Sequence, residues 1–180
     1  MPIVEDPIAF PVAERLKDCL CNLLEESLPT KCCCVWYGSE VPWDDCSSEG
    51  GREGQAWVRI VEVYPTDQFP RQATVSNPCG AMDGWAVVLE LGVLRCAPTP
   101  SANGRLPGCD ANTGAAEKAA HDAHLMRRAI MCCDWRETDQ SFLMGRWQPI
   151  GADGGCQGGI TQVTVHVSYP CLCDQYAGGE

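Results

Sequence analysis

Two long apolar runs constrain the fold of this chain more than any other feature of its sequence. Residues 55–64 and residues 85–96 are rich in β-branched and aromatic side chains, which favour strands. Strands that are buried on both faces have such nearly continuous apolar runs, whereas half-buried strands alternate. We therefore predict that these two strands lie next to each other in the centre of a sheet.

Apolar residues repeating every three and four positions predict two helices, over residues 12–28 and 113–135. Pro29 ends the first of them. The apolar stripe of the second helix is largely alanine, and such small side chains would let this helix lie close to a sheet. Three further strands are predicted over residues 33–37, 142–150 and 160–169.

The last two strands form a predicted hairpin. Residues 160–169 alternate valine and tyrosine with polar side chains, so one face would be buried and the other solvated. The glycine-rich stretch 151–159 is predicted to be the flexible loop that joins the two arms. The resulting order of elements is helix, strand, strand, strand, helix, strand, strand. It predicts an α+β fold, an antiparallel or mixed sheet of about four to five strands with two helices packed on one side.

Length and apolar content fit a single domain over residues 1–180. Within it we predict an extended arm over residues 1–11, a core over residues 12–170 and a C-terminal tail over residues 171–180. The arm holds three prolines, which disfavour a helix. It would lie along its own domain or clasp a neighbouring subunit.

Charge and hydropathy argue against two classes of partner. No apolar run approaches the ~20 residues that a membrane helix needs, so no membrane contact is expected. The first residues lack the basic start and apolar stretch of a signal peptide, which predicts synthesis in the cytoplasm. The formal net charge of −11 argues against binding nucleic acid through its phosphates, because such binding needs clustered lysine and arginine.

The chain contains 14 cysteines, an unusual number. No C-x-x-C motif is present, so the strongest sequence mark of a zinc or redox site is missing. Several cysteines are adjacent instead, as in Cys32-Cys33-Cys34, and neighbours on a strand point to opposite faces. We expect most of them to be reduced and to act as small hydrophobic residues. A few disulfides formed in an oxidised particle, or a metal site, are the alternatives.

Candidate catalytic and metal-binding groups lack the patterns that their chemistry requires. His121 and His124 share one face of the second helix, but the H-E-x-x-H arrangement of zinc proteases is absent. His166 is predicted to lie on the solvated face of the last strand. The loop 151–159 has no lysine for a phosphate, and the acidic loop 38–54 lacks the spacing of a calcium site. The sequence therefore predicts no enzyme, no cofactor and no bound metal.

The order of elements resembles that of the tail terminators of long-tailed, siphovirus-type bacteriophages. The matching parts are the amphipathic helix 12–28, the strands 56–64 and 85–96, the helix 113–135 and the closing hairpin 146–169. Of these parts, the alternating stretch Gly159–Tyr169 is the most similar to the closing hairpin of that family.

The resemblance implies a homo-hexameric ring in the virion, at the head-to-tail junction, made from subunits synthesised in the host cytoplasm. Such a ring caps the tail tube, contacts the tail tube protein and the neck or stopper protein, and lets DNA pass through its lumen without specific binding. The cysteines and the long loops 38–54 and 97–112 depart from the family pattern. The alternative functions are therefore another head-tail connector, such as a stopper, and a cysteine-rich metal-binding or redox protein.

Contacts between subunits or with partners are expected in the loops 38–54, 66–83 and 151–159, and at the extended arm. The predicted interface residues are Phe10, Trp43, Asp44, Asp45, Phe69, Arg71, Asp153 and Gln157.

Overall fold

The computed structural model describes residues 6–42, 46, 48–74, 83–135 and 141–168. These parts of the chain form two helices, a mixed sheet of six strands and a separate two-stranded ribbon. The predicted α+β class is confirmed, with a strand count slightly above the predicted four to five. The elements are α1 (Ala9–Ser27), β1 (Cys32–Tyr37), β2 (Ser48–Glu49), β3 (Arg52–Glu53), β4 (Gln55–Gln68), β5 (Arg71–Gln72), β6 (Gly84–Cys96), α2 (Cys109–Cys132), β7 (Phe142–Asp153) and β8 (Cys156–Val167).

The sheet has the order β1-β4-β6-β8-β7, and the short β5 pairs with the end of β4. β1 runs parallel to β4, while the other pairs are antiparallel. The two apolar strands predicted to be central, β4 and β6, are neighbours, with Trp57 opposite Gly92. Within the described residues, β1 and β7 are the two edges of the sheet.

Both helices pack on one face of the sheet, as predicted. Leucines of α1 meet the side chains of β4, β6 and β8 that point to this face, together with the second half of α2 from Leu125 to Ile130. The alanines Ala116 and Ala120 of the predicted stripe are exposed. The most completely buried members of this core are Leu16, Leu20, Leu24, Val58, Val87, Leu89, Leu91, Val93, Met126, Ile130, Val163 and Val165. At roughly 1.5–3 kcal/mol for each large apolar side chain buried, this layer supplies most of the driving force for folding.

The prediction of an extended N-terminal arm is wrong for residues 9–11, which form the first turn of α1. The Asp6 carboxylate accepts hydrogen bonds from the backbone amides of Ile8, Ala9 and Phe10 at 3.0, 3.0 and 3.1 Å. These amides have no partner inside a helix, so the carboxylate stabilises the helix start. Pro11 fits here because amides of the first turn need no intrahelical acceptor.

The prediction of a flexible loop over residues 151–159 is also wrong, because β7 and β8 continue through most of this stretch. The turn itself holds Gly154 and Gly155, with φ of 55° and 81°, which suits a two-residue hairpin. Gly158 and Gly159 belong to β8. A side chain at Gly158 would meet the backbone of Val93, and one at Gly159 would overlap the ring of Trp147. These glycines therefore allow close packing within the sheet.

Candidate functional site

The predicted interface residues do not form one surface. Phe69 and Arg71 lie where β4 pairs with the start of β6, whereas Asp153 and Gln157 lie at the opposite end of the sheet. Phe10 is exposed at the start of α1. Trp43, Asp44 and Asp45 lie outside the described residues.

Two of these predicted residues have partners inside the chain. Arg71 forms an exposed ion pair with Asp67, with Nη2 2.9 Å from Oδ2. The half-buried Phe69 ring lies 5.4 Å from the ring of His166, centroid to centroid. His166 is therefore not at the surface as predicted. It is 8% exposed, because the turn between β4 and β5 covers it.

The edge strand β7 carries a stretch of exposed apolar residues that sequence reasoning missed. Phe142, Leu143 and Met144 are 36%, 54% and 38% exposed. On their outer side no strand pairs with β7 within the described residues. Three consecutive apolar residues at the start of a predicted hairpin arm were the available signal, since a half-buried strand should alternate.

The other half of β7 is less suited to pairing. Its register against β8 shifts between Met144 and Trp147 and again between Ile150 and Asp153. Pro149 lacks a backbone donor, which makes it typical of edge strands. The pairing surface of β7 is therefore concentrated in Phe142–Met144.

The sheet face opposite the helices, here called the open face, carries a buried ion pair. Arg59 Nη2 lies 2.7 Å from Glu90 Oε2, and Arg59 Nε donates to Glu90 Oε1 at 3.1 Å. Trp57 Nε1 donates to the same oxygen at 3.3 Å. Both carboxylate oxygens of Glu90 are therefore engaged by neighbouring side chains of the same sheet face.

Beside this ion pair, the open face has a cavity of about 410 Å³. It is lined by Cys32, Cys34, Trp36, Val41, Pro42, Gln55, Ala56 and Trp57. The Sγ atoms of Cys32 and Cys34 are 3.8 Å apart. Burial, followed by the neighbouring Cys32, raises the pKa of the Cys34 thiol to about 11. A nucleophile or a metal ligand must be a thiolate, and the raised pKa disfavours that form of Cys34 at neutral pH.

The two histidines of α2, His121 and His124, are at its exposed surface. His121 Nε2 lies 2.6 Å from Ser27 Oγ. Among the residues that the structure describes, no three His, Cys, Asp or Glu side chains converge on a position for a metal ion.

The expectation that most cysteines are reduced is wrong for the described residues. Six of them form three disulfides, Cys19–Cys133, Cys21–Cys33 and Cys46–Cys156. The partners lie 114, 12 and 110 residues apart in sequence, so linear spacing could not reveal them. The described cysteines that remain free are Cys32, Cys34, Cys96, Cys109 and Cys132.

No known protein-family model matches the chain, and no curated protein is significantly similar to it in sequence. Neither helix in the described ranges is both long and apolar enough to cross a membrane.

Proposed function

We propose that this chain is a structural subunit that assembles with copies of itself into a ring at the head-to-tail junction of a long-tailed bacteriophage, as a tail terminator. The exposed apolar stretch Phe142–Met144 on the edge strand β7 carries the proposal. An edge strand presents unpaired backbone donors and acceptors, which pair readily with a strand of another chain. Edges that must stay free are usually protected by charged residues, and these three positions have none.

A ring requires two different surfaces on each subunit. When the same patch meets itself the assembly closes as a dimer, whereas head-to-tail contacts continue around a circle. The other edge of this sheet is β1, at whose end Tyr37 is 85% exposed. We therefore expect β7 of one subunit to contact β1 of the next, so that the sheets continue around the ring.

The remaining features fit a particle component. The net charge of −11 disfavours tight contact with a DNA backbone, as a conduit for DNA requires. A virion protein is made in the host cytoplasm but persists outside the cell, where disulfides are stable. Among the described residues, the Glu90 carboxylate engaged by Arg59 and the exposed histidines of α2 offer no support for an enzyme.

The oligomeric state of the purified full chain tests the proposal. Electron microscopy and mass photometry should show rings, six subunits each, with an open lumen. Leu143→Lys places a charge on the β7 edge and should yield monomers with unchanged thermal stability, because Leu143 is already half exposed. Met131→Lys is the matched control. Met131 is 64% exposed and lies on α2 rather than on an edge strand, so this variant should still form rings.

A wild-type protein that stays monomeric at every concentration, or that forms closed dimers without a lumen, contradicts the ring. If Leu143→Lys forms rings as readily as the wild type does, the proposed contact through β7 is contradicted. A stopper would also form rings, so binding to purified tail tubes separates the two connector types. The tail terminator should cap one end of each tube.

A cysteine-rich metal-binding or redox protein is the candidate from another class, and the Cys32–Cys34 pair is its best support. The raised pKa of Cys34 weakens that support, since metal binding must first remove a strongly held proton. Metal analysis of protein purified without chelators separates the two proposals. Stoichiometric zinc or copper would favour the alternative.

A further inference from the structure

Three cysteines meet on the open face at the end of β6 and β8. Cys46 and Cys156 form a disulfide whose Cα atoms are 5.6 Å apart, and both residues are buried. Cys96 is a free thiol that lies directly opposite Cys156 in the β6–β8 register. Its Sγ donates to the backbone carbonyl of Cys46. The free thiol therefore lies next to both residues of the disulfide.

We propose that Cys96 exchanges with this disulfide, so that the chain holds an internal redox switch that needs no external oxidant. The Cys96 thiolate attacks Sγ of Cys156, a Cys96–Cys156 bond forms, and the Cys46–Cys156 bond breaks. Cys46 leaves as a thiolate and takes up the proton that Cys96 lost. One disulfide and one thiol are present before and after the step, so electrons and protons balance.

The product fits the sheet without movement of the backbone. Directly opposite residues in antiparallel strands have Cα atoms about 4.5–5.5 Å apart, and disulfides span about 4.4–6.8 Å. Side chains of opposite residues also point to the same face. A Cys96–Cys156 disulfide therefore joins two strands that are already paired.

Exchange would change what holds the chain between β1 and β2. In the present state Cys46 ties this segment covalently to β8. Val41 and Pro42 of the same segment line the cavity of about 410 Å³ beside Trp57, and Val41 packs against the cluster of Cys46, Trp57, Leu94 and Cys156. After exchange no disulfide would join Cys46 to the sheet, and the segment would be held by apolar packing and by hydrogen bonds such as that from Gln55 Nε2 to the Pro42 carbonyl. The disulfide is in this sense a latch.

Charged neighbours set the pH at which the latch opens. Burial, and next the carboxylate of Glu53, raise the pKa of Cys96, while Lys118 and Lys31 lower it. Glu53 Oε1 accepts from the Cys96 amide at 3.0 Å, and Glu53 Oε2 lies 2.7 Å from Lys118 Nζ. Asp110 lines the same cavity as Glu53, Cys96 and Lys118. A raised pKa keeps the thiol protonated near neutral pH, so exchange should be slow there and accelerate in base.

Disulfide mapping of the full chain tests the switch. Protein purified without reductant is held at pH 7, 8 and 9, alkylated at intervals and mapped by mass spectrometry of unreduced peptides. Cys46 should become alkylated as the Cys96–Cys156 peptide pair accumulates, with a rate that rises about tenfold per pH unit while the pH stays below the pKa of the attacking thiol. Glu53→Gln should accelerate the exchange at pH 7, and Lys118→Gln should slow it.

Cys96→Ser should abolish the alkylation of Cys46, whereas the control Cys109→Ser, at another free and exposed cysteine, should leave the rate unchanged. Circular dichroism verifies that both variants are folded. The proposal is overturned if Cys46 stays bonded to Cys156 at pH 9, if Cys96→Ser still releases Cys46, or if Cys96 pairs with Cys46 instead. The last result would keep the segment tethered to the sheet.

Discussion

Arg95 is a charged side chain that the core encloses, with 1% of its surface exposed. Its Nε and Nη2 atoms donate to the two carboxylate oxygens of Asp122 on α2, at 2.9 and 2.8 Å. Further donors reach the backbone carbonyls of Leu28 and Glu53 at 2.8 and 2.9 Å. Burying two charges costs solvation free energy, which this pairing offsets. Removal of either partner would leave the other charge buried and unpaired.

Arg95→Met should lower the free energy of unfolding by about 3–5 kcal/mol, measured by urea denaturation with tryptophan fluorescence. The double variant Arg95→Met with Asp122→Leu should recover much of this loss, because it removes both charges. Arg71→Met is the control. Its ion pair with Asp67 is exposed, so the change should stay below about 1 kcal/mol. Equal losses for the two arginine variants would refute this account.

Two pairs of neighbouring strands pack by placing a tryptophan ring of one strand over a glycine of the other. Trp57 on β4 lies opposite Gly92 on β6, and a Cβ at Gly92 would overlap the indole ring. Trp147 on β7 covers Gly159 on β8 in the same way. Glycine weakens a strand by itself, but here it provides the space that the neighbouring ring fills. Trp57 packs the open face in this way, whereas Trp147 lies on the face that the helices cover.

Gly92→Ala should destabilise the protein by about 1–3 kcal/mol, because the added methyl group forces the Trp57 ring to move. Gly114→Ala has the opposite expected sign. Gly114 lies inside α2 with nothing within 4 Å of an added Cβ, so alanine should raise stability by about 0.5–1 kcal/mol through its higher helix propensity. Thermal unfolding of the two variants measures both effects. A neutral Gly92→Ala would show that the ring can move freely.

In the molecule as a whole, two disulfides join α1 to its surroundings. Cys19–Cys133 connects α1 to the residue after α2, and Cys21–Cys33 connects it to β1. A disulfide stabilises a protein mainly by restricting the unfolded chain, and the effect grows with the length of the closed loop. The first closes a loop with a sequence separation of 114 residues and the second one of 12.

Replacing Cys19 and Cys133 together by alanine should therefore lower the free energy of unfolding by about 5 kcal/mol, and replacing Cys21 and Cys33 by about 3 kcal/mol. Cys109→Ala, at a free and exposed thiol, should have little effect. Urea denaturation without reductant measures the three values. If the short loop costs as much as the long one, the disulfides stabilise the protein mainly by something other than restriction of the unfolded chain.

Local patterns in the sequence determined the elements and the fold class. The spacing of Leu16, Leu20 and Leu24 places them on one side of a helix wherever that helix packs. The apolar runs of β4 and β6 determined that these strands lie inside the sheet, because side chains of such composition have no stable place in water. Such information lies within about ten consecutive residues, so it can be read without the fold.

Only the tertiary structure decided which distant residues meet. His166 is buried because the turn bearing Phe69 lies over it. The stretch 151–159 is mostly strand because its second half pairs with the end of β6. The pairing of Cys46 with Cys156, and the position of Cys96 beside them, depend on the register of β6 and β8. These outcomes arise from contacts between segments far apart in the chain, and linear spacing contains no information on them.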